Sequence, residues 1–179
     1  MAKFPVKKYA TLEMNRARYL AQGNVVSQIP LAAEFTEEAP CENGMWVCAN
    51  KANGEIRTLK AESEMVGIVY TTEKEWGRYE YGLNNHADVA GAYPRVGILD
   101  LGDTFTSNCF DMGESATVEA FETAMKALDT TPQYLVPQVG NGRPKVTATA
   151  PLSGAYAQVV KYTTAPNGEK AIKYVVVRV

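Results

Sequence analysis

GAYPRVGILDLGDTFTSN, residues 91–108, decides the fold. Val96, Ile98, Leu99 and Leu101 are apolar and partly alternate, Gly102-Asp103 supplies a tight turn, and Thr104-Phe105-Thr106 restarts an extended pattern. The stretch reads as strand, turn and second strand, with no nucleophile or ligand set attached. Asp103 beside a turn glycine is ordinary turn chemistry, because its side chain accepts from nearby backbone amides.

The same style continues on both sides. Asn43-Gly44 opens the first hairpin signal, residues 45–49 alternate as a strand, Lys51-Ala52-Asn53-Gly54 closes a turn, and residues 55–59 return with Ile56 and Leu59 as core candidates. MVGIVYT, residues 65–71, is rich in strand formers. Residues 76–85, WGRYEYGLNN, read as a loop with strand character. Downstream, residues 133–139 form one strand candidate, 139–144 a turn cluster, and 145–150 another strand. Residues 155–163 and 170–179 flank Pro166-Asn167-Gly168, the clearest hairpin signal in the chain. Tyr174-Val175-Val176-Val177 is apolar on both faces, as in a strand buried from both sides or covered by a partner.

One segment has the helical period. Val118, Phe121, Met125 and Leu128 share a face, Ser115 or Thr117 caps the start, Glu119 and Glu122 suit the early turns, and Asp129-Thr130-Thr131-Pro132 stops it. The fold class is therefore mainly β: a small β-barrel or sandwich of short antiparallel strands with one short helix at about 117–129 and an extended N-terminal arm.

Residues 1–40 differ from the rest. Up to Gln28 they carry Lys3, Lys7, Lys8, Arg16 and Arg18 against Glu13 alone, after which Glu34, Glu37 and Glu38 reverse the sign. Pro5, Gly23, Pro30 and Pro40 interrupt any long element, although a short helical turn near 12–20 fits. An extended arm anchored by Phe4, Tyr9, Leu12, Tyr19 and Leu20 fits, and so does a first strand packed on its own domain. The division adopted is an arm, 1–40, and a β-rich domain, 41–179.

Composition bounds the chemistry. The chain has 179 residues, 46% hydrophobic and 21% charged, which suits one domain with a packed core. A net charge of −2 gives no general drive toward nucleic acid. No apolar run approaches the ~18 residues of a spanning helix, and the basic start lacks the apolar stretch of a signal peptide. Neither a membrane partner nor nucleic acid is expected. Cys41, Cys48 and Cys109 are an odd count with no zinc-ligand spacing, so reduced, packed thiols are expected. His86 has no companion nucleophile in a strained turn. Phosphate-binding glycine motifs are absent from the sequence. No catalytic residue, metal or cofactor is expected. Trp76, Tyr79 and Tyr81 form a candidate aromatic surface for a subunit contact, or for a sugar ring flanked by Glu73, Glu75 and Glu80.

The arm followed by CENGMWVCANKANGEIRTL, residues 41–59, and YPRVGILDLGDTFTSN, residues 93–108, resembles small β-rich head proteins of tailed bacteriophages that decorate or cement the capsid. The resemblance spans about residues 40–110 and brings no catalytic residues. It implies a non-enzymatic virion protein, assembled in the host cytoplasm, that binds the outside of the capsid shell. Its implied partners are the major capsid protein and further copies of itself, as a trimer or dimer. On that footing Phe4, Lys7, Lys8, Tyr9, Arg16, Arg18 and Tyr19 are the partner-binding candidates, with the arm adding a strand to a neighbour's sheet edge. The alternatives are a tail or head–tail joining component, and a carbohydrate-binding or carbohydrate-active module.

Overall fold

The structure, a computed structural model, describes residues 2–13, 25–62, 64–70, 86–165 and 167–179. Its strands are β1 (Val25–Val26), β2 (Cys41–Glu42), β3 (Trp46–Cys48), β4 (Val66–Val69), β5 (Ala87–Asp88), β6 (Val96–Ile98) and β7 (Thr104–Ser107), followed by helix α1 (Val118–Lys126), then β8 (Tyr134–Gln138), β9 (Asn141–Thr147), β10 (Tyr156–Thr164) and β11 (Lys170–Arg178). They form a five-stranded sheet in the order β7-β11-β10-β8-β9, a four-stranded sheet β1-β6-β4-β3, and the pair β2-β5, all antiparallel. The described strands do not close into a barrel. The arrangement is a sandwich-like stack of sheets.

The 91–108 stretch behaves as read, with one addition. Its two strands belong to different sheets, so Asp100–Asp103 is a corner where the chain changes layer. Asp103 accepts from the Asp100 amide at 2.9 Å, and Gly102 holds the corner at φ 87°. On one side of β3 and β4, Trp46 and Ile68 pack with Phe105, Leu135 and Tyr174 of the five-stranded sheet. On the other side, Val47 and Val69 join Leu31, Phe35, Cys41 and Cys109. Burial on both faces explains why β3 and β4 are apolar throughout.

Thr117 is the helix cap, accepting from the Ala120 amide at 3.2 Å, and α1 ends at Lys126, three residues earlier than the period suggests. Phe121 and Met125 are its buried residues.

Four local expectations fail. Asn43-Gly44 does not close a hairpin: β2 pairs with β5, and β3 with β4. Residues 55–59 contribute single bridges at Ile56 and Arg57, not a strand. The glycines of 139–144 do not all turn the chain, since β9 already begins at Asn141. The described part of residues 1–40 does not extend away as an arm: Phe4, Ala10, Leu12, Leu31 and Phe35 are buried in the two core clusters. The loop read at 76–85 lies outside the described residues, as does the 12–20 helical turn beyond Glu13.

Candidate functional site

Residues 2–13 form a strap across the β7 side of the body. Phe4 sits 4.5 Å from the Phe110 ring and 5.5 Å from Phe121, centroid to centroid. The Phe4 amide donates to the Phe110 carbonyl at 3.2 Å, and the Glu13 amide to Thr106 at 2.8 Å. Polar side chains fix the turns between. Glu169 accepts from the Lys7 amide at 2.8 Å, and Asn108 accepts from the Thr11 amide at 2.6 Å. Asn108 in turn donates to Glu169 at 3.1 Å. Among the proposed partner contacts, Phe4 therefore faces inward at 2% exposure and holds its own fold. Lys7 and Lys8 are exposed, and Tyr9 is half-buried with the Lys8 ammonium 5.2 Å from its ring centre. Arg16, Arg18 and Tyr19 lie outside the described residues, as do Trp76, Tyr79 and Tyr81.

A charged centre beneath the strap was invisible in sequence. Arg143 Nη2 donates to both Glu42 carboxylate oxygens, at 2.7 and 2.6 Å, with both side chains about 95% buried. Glu42 also accepts from the Ala10 amide and pairs with Lys3 at 3.3 Å. Burial pushes the Glu42 carboxyl upward, but Arg143, the Ala10 amide and Lys3 outweigh it and hold the group below its ordinary value. Nearby, Asp111 accepts from Gln138 at 2.8 Å and Asn141 at 3.1 Å. Glu42, Arg143, Lys3 and Asn141 border a cleft of about 470 Å³ that also exposes Lys8, Glu34, Glu37 and Glu38. Its mixed signs select no single ligand charge, and the carboxylate at its base is committed to holding the strap and β9 in place.

The other candidate surface is apolar. Antiparallel pairing puts the start of β7, the β8–β9 turn, the start of β10 and the end of β11 at one end of the five-stranded sheet. The Gly102 amide donates to the Val176 carbonyl, and Arg178 donates to the Leu152 carbonyl at 2.7 Å. The Gly140 amide donates to the Leu59 carbonyl, and the Leu99 amide to the Val66 carbonyl, which brings Leu59 and Val66 to the same end. Leu152 is 95% exposed there, Leu101 60%, Val139 54% and Met65 50%. The sequence pattern puts Met65, Leu101 and Val139 in strand candidates, whereas all three lie outside the strands of the structure. A signal was present: Leu101 and Val139 each precede a turn glycine, and Leu152 stands two before one, at Gly102, Gly140 and Gly154 with positive φ. Turn tips favour polar residues, so an apolar tip has no core to face.

His86 Nε2 lies 3.5 Å from Asp88. All three cysteines are free and buried. Burial raises the Cys41 thiol well above its ordinary value, with Asp88 adding to the effect, and pushes Cys109 up to about 12. Among the described residues, no cluster of three or more His, Cys, Asp or Glu is arranged to hold a metal. Comparison with known protein families, curated proteins and solved structures yields no match.

Proposed function

We propose that the chain is a non-enzymatic structural protein of a phage virion that binds the outer surface of the capsid and cements the shell across subunit boundaries. The carrying observation is the apolar loop end. Four large side chains, from 50 to 95% exposed, gather where a monomer gains nothing from them. The buried carboxylates support the same reading, since Glu42 and Glu169 are engaged in holding the strap. The resemblance of residues 41–59 and 93–108 to phage head proteins supplies the partner, the major capsid protein. Exposed Lys3, Lys7 and Lys8 offer a cationic strip to an acidic subunit surface. Many copies, each gripping more than one subunit, add avidity without any single contact being strong.

The test is sedimentation of the full chain with expanded heads of the phage that encodes it. Saturable pelleting at a copy number matched to the shell lattice is the expected result, weakened by salt and by Lys7→Glu/Lys8→Glu. Absence of pelleting, or a ring-like count at a single vertex, overturns it. So does turnover of a cell-wall polysaccharide by the purified chain.

A further inference from the structure

We infer that the outer face of the five-stranded sheet binds single-stranded nucleic acid. The net charge of −2 averages over an uneven distribution. The strands β7 to β11 carry Arg143, Lys145, Lys161, Lys170, Lys173 and Arg178, and not one Asp or Glu. Most of these cations are engaged elsewhere or offset. Arg143 is paired with Glu42, Lys170 lies 5.7 Å from the Tyr162 ring centre, and Lys145 shares a groove of about 400 Å³ with Glu62. Arg178 is tied to the Leu152 carbonyl at the loop end. Lys161 and Lys173 remain. Both are exposed, and among the described residues neither makes an ion pair.

These two lysines also face each other. Phe105, Leu135, Tyr174 and Val176 point into the core, so the alternate positions of their strands point out. Lys173 lies between buried Ile172 and Tyr174, and its cross-strand partner is Lys161. Lys161 reaches the outer side because Val160 is the extra residue of a β-bulge; in unbroken register Lys161 would fall on the core side. Like charges placed directly opposite destabilise a sheet. The bulge thus sets up a repulsion that nothing in the monomer relieves and a bound anion does.

The rest of the face favours a nucleic acid as that anion. Tyr134, Tyr156 and Gln158 are half-buried on it, with Gln158 opposite Tyr134 and the two rings edge to face at 5.8 Å. Lys161 is three residues along β10 from Gln158, about 10 Å, so one strand can rest a base on a ring and its phosphates on the lysines. An acidic protein fits less well. Protein interfaces are depleted in Lys and enriched in Trp, Phe and Met, and apart from inward Phe105 these strands hold none of the three.

Fluorescence anisotropy of the full chain with a labelled oligothymidylate of about 15 nucleotides tests this. The expected Kd is about 10 µM in about 50 mM NaCl, and log affinity falls against log salt with a slope of about −1.4 or steeper, the value for two phosphates. Lys161→Gln/Lys173→Gln is expected to bind at least about 10-fold more weakly with a flattened slope, at a urea midpoint no lower than wild type. Lys60→Gln/Lys126→Gln, which removes the same charge from exposed positions off this sheet, is expected to bind as wild type does. An abasic oligomer of equal length is expected to bind at least about 5-fold more weakly, because stacking is lost. No binding at about 200 µM protein overturns the inference, as does equal loss in the charge control or equal affinity for the abasic oligomer. Displacement by polyglutamate at equal charge also overturns it and assigns the face to an acidic polypeptide. Head pelleting by Lys161→Gln/Lys173→Gln is expected to match wild type, so the inference and the proposed function fail separately; loss of pelleting in that variant gives the face to the shell and overturns the inference.

Discussion

Replacing Glu42 by Gln preserves the shape of the side chain and an acceptor for the Ala10 amide, but leaves the Arg143 guanidinium buried without its counter-charge. Removing one partner of a buried pair costs about 3–5 kcal/mol, because the surviving charge stays desolvated. For a chain of this length that lowers Tm by on the order of 10 °C. Urea unfolding at pH 7 measures the loss directly. The double variant Glu42→Gln/Arg143→Met is expected to recover part of it, since the guanidinium stranded by Glu42→Gln is gone, and the resulting cycle gives the coupling energy. The pH dependence supplies a second check. The folded Glu42 carboxyl is held below its unfolded value of about 4.3, so its contribution is complete above that pH and is lost as pH falls through the folded value. The gap between wild type and Glu42→Gln is therefore expected to narrow below about pH 4. The remaining acid limb includes Glu64, which the Arg57 guanidinium holds down at about 2. A single-variant loss under about 1 kcal/mol, or a double variant as unstable as the single, refutes the reasoning.

Phe4→Ala is expected to cost about 3–5 kcal/mol in denaturant unfolding, whereas a Phe4 that served only a partner would leave stability unchanged. Gly113→Ala is expected to abolish soluble expression, because a Cβ there falls 1.8 Å from the Val146 carbonyl oxygen at φ +64°. Gly54→Ala, at φ +70° with nothing within 4 Å, carries only left-handed backbone strain of about 1–2 kcal/mol by thermal melt. A thiol reagent at pH 8 is expected to leave all three cysteines untouched in the folded protein and to titrate all three in urea, since burial keeps Cys41 and Cys109 protonated and covered.

What could be read from the sequence was local. The period of α1 and its Thr117 cap, the Tyr156–Thr164 and Lys170–Arg178 hairpin, and the strands on either side of Gly102 each depend on residues a few positions apart. The failures share a different cause. Gly44 does adopt φ 88°, but it is also glycine because a Cβ would meet Ser107 Oγ at 2.4 Å and Cys109 at 2.8 Å. Gly142 lies inside β9, where a Cβ would fall 2.8 Å from Met45 Sδ. Turn chemistry and close approach use the same residue, and one sequence does not distinguish them. Pro144 is tolerated in β9 because that strand is at the sheet edge, where it needs no ladder donor. The Glu42–Arg143 pair spans 101 residues and leaves no periodic trace. Of the candidate contacts, Lys7 and Lys8 are exposed, whereas Phe4 is claimed by an aromatic cluster that only tertiary structure assembles.

The way the sheets end constrains how this chain meets another. The outer edge of β7 is occupied by the strap, with the Glu13 amide donating to Thr106 and the Asn108 amide to Thr11. Asp111 covers β9, donating to Pro144 and accepting from Val146, and Arg57 accepts from Cys48 beside β3. A partner strand seeking any of these edges must first displace a segment of the same chain. At β7 it must also free Phe4 and Leu12 from the core and strip amide donors from Glu42, Glu169 and Asn108. Strand addition at these edges is thus opposed by interactions the monomer already makes, which removes the physical basis for treating residues 2–13 as a donor strand. The loop end carries no such competition: its apolar tips face solvent, and covering them displaces only water. Cover on β7, β9 and β3 by segments of the same chain keeps those edges from templating open-ended sheets.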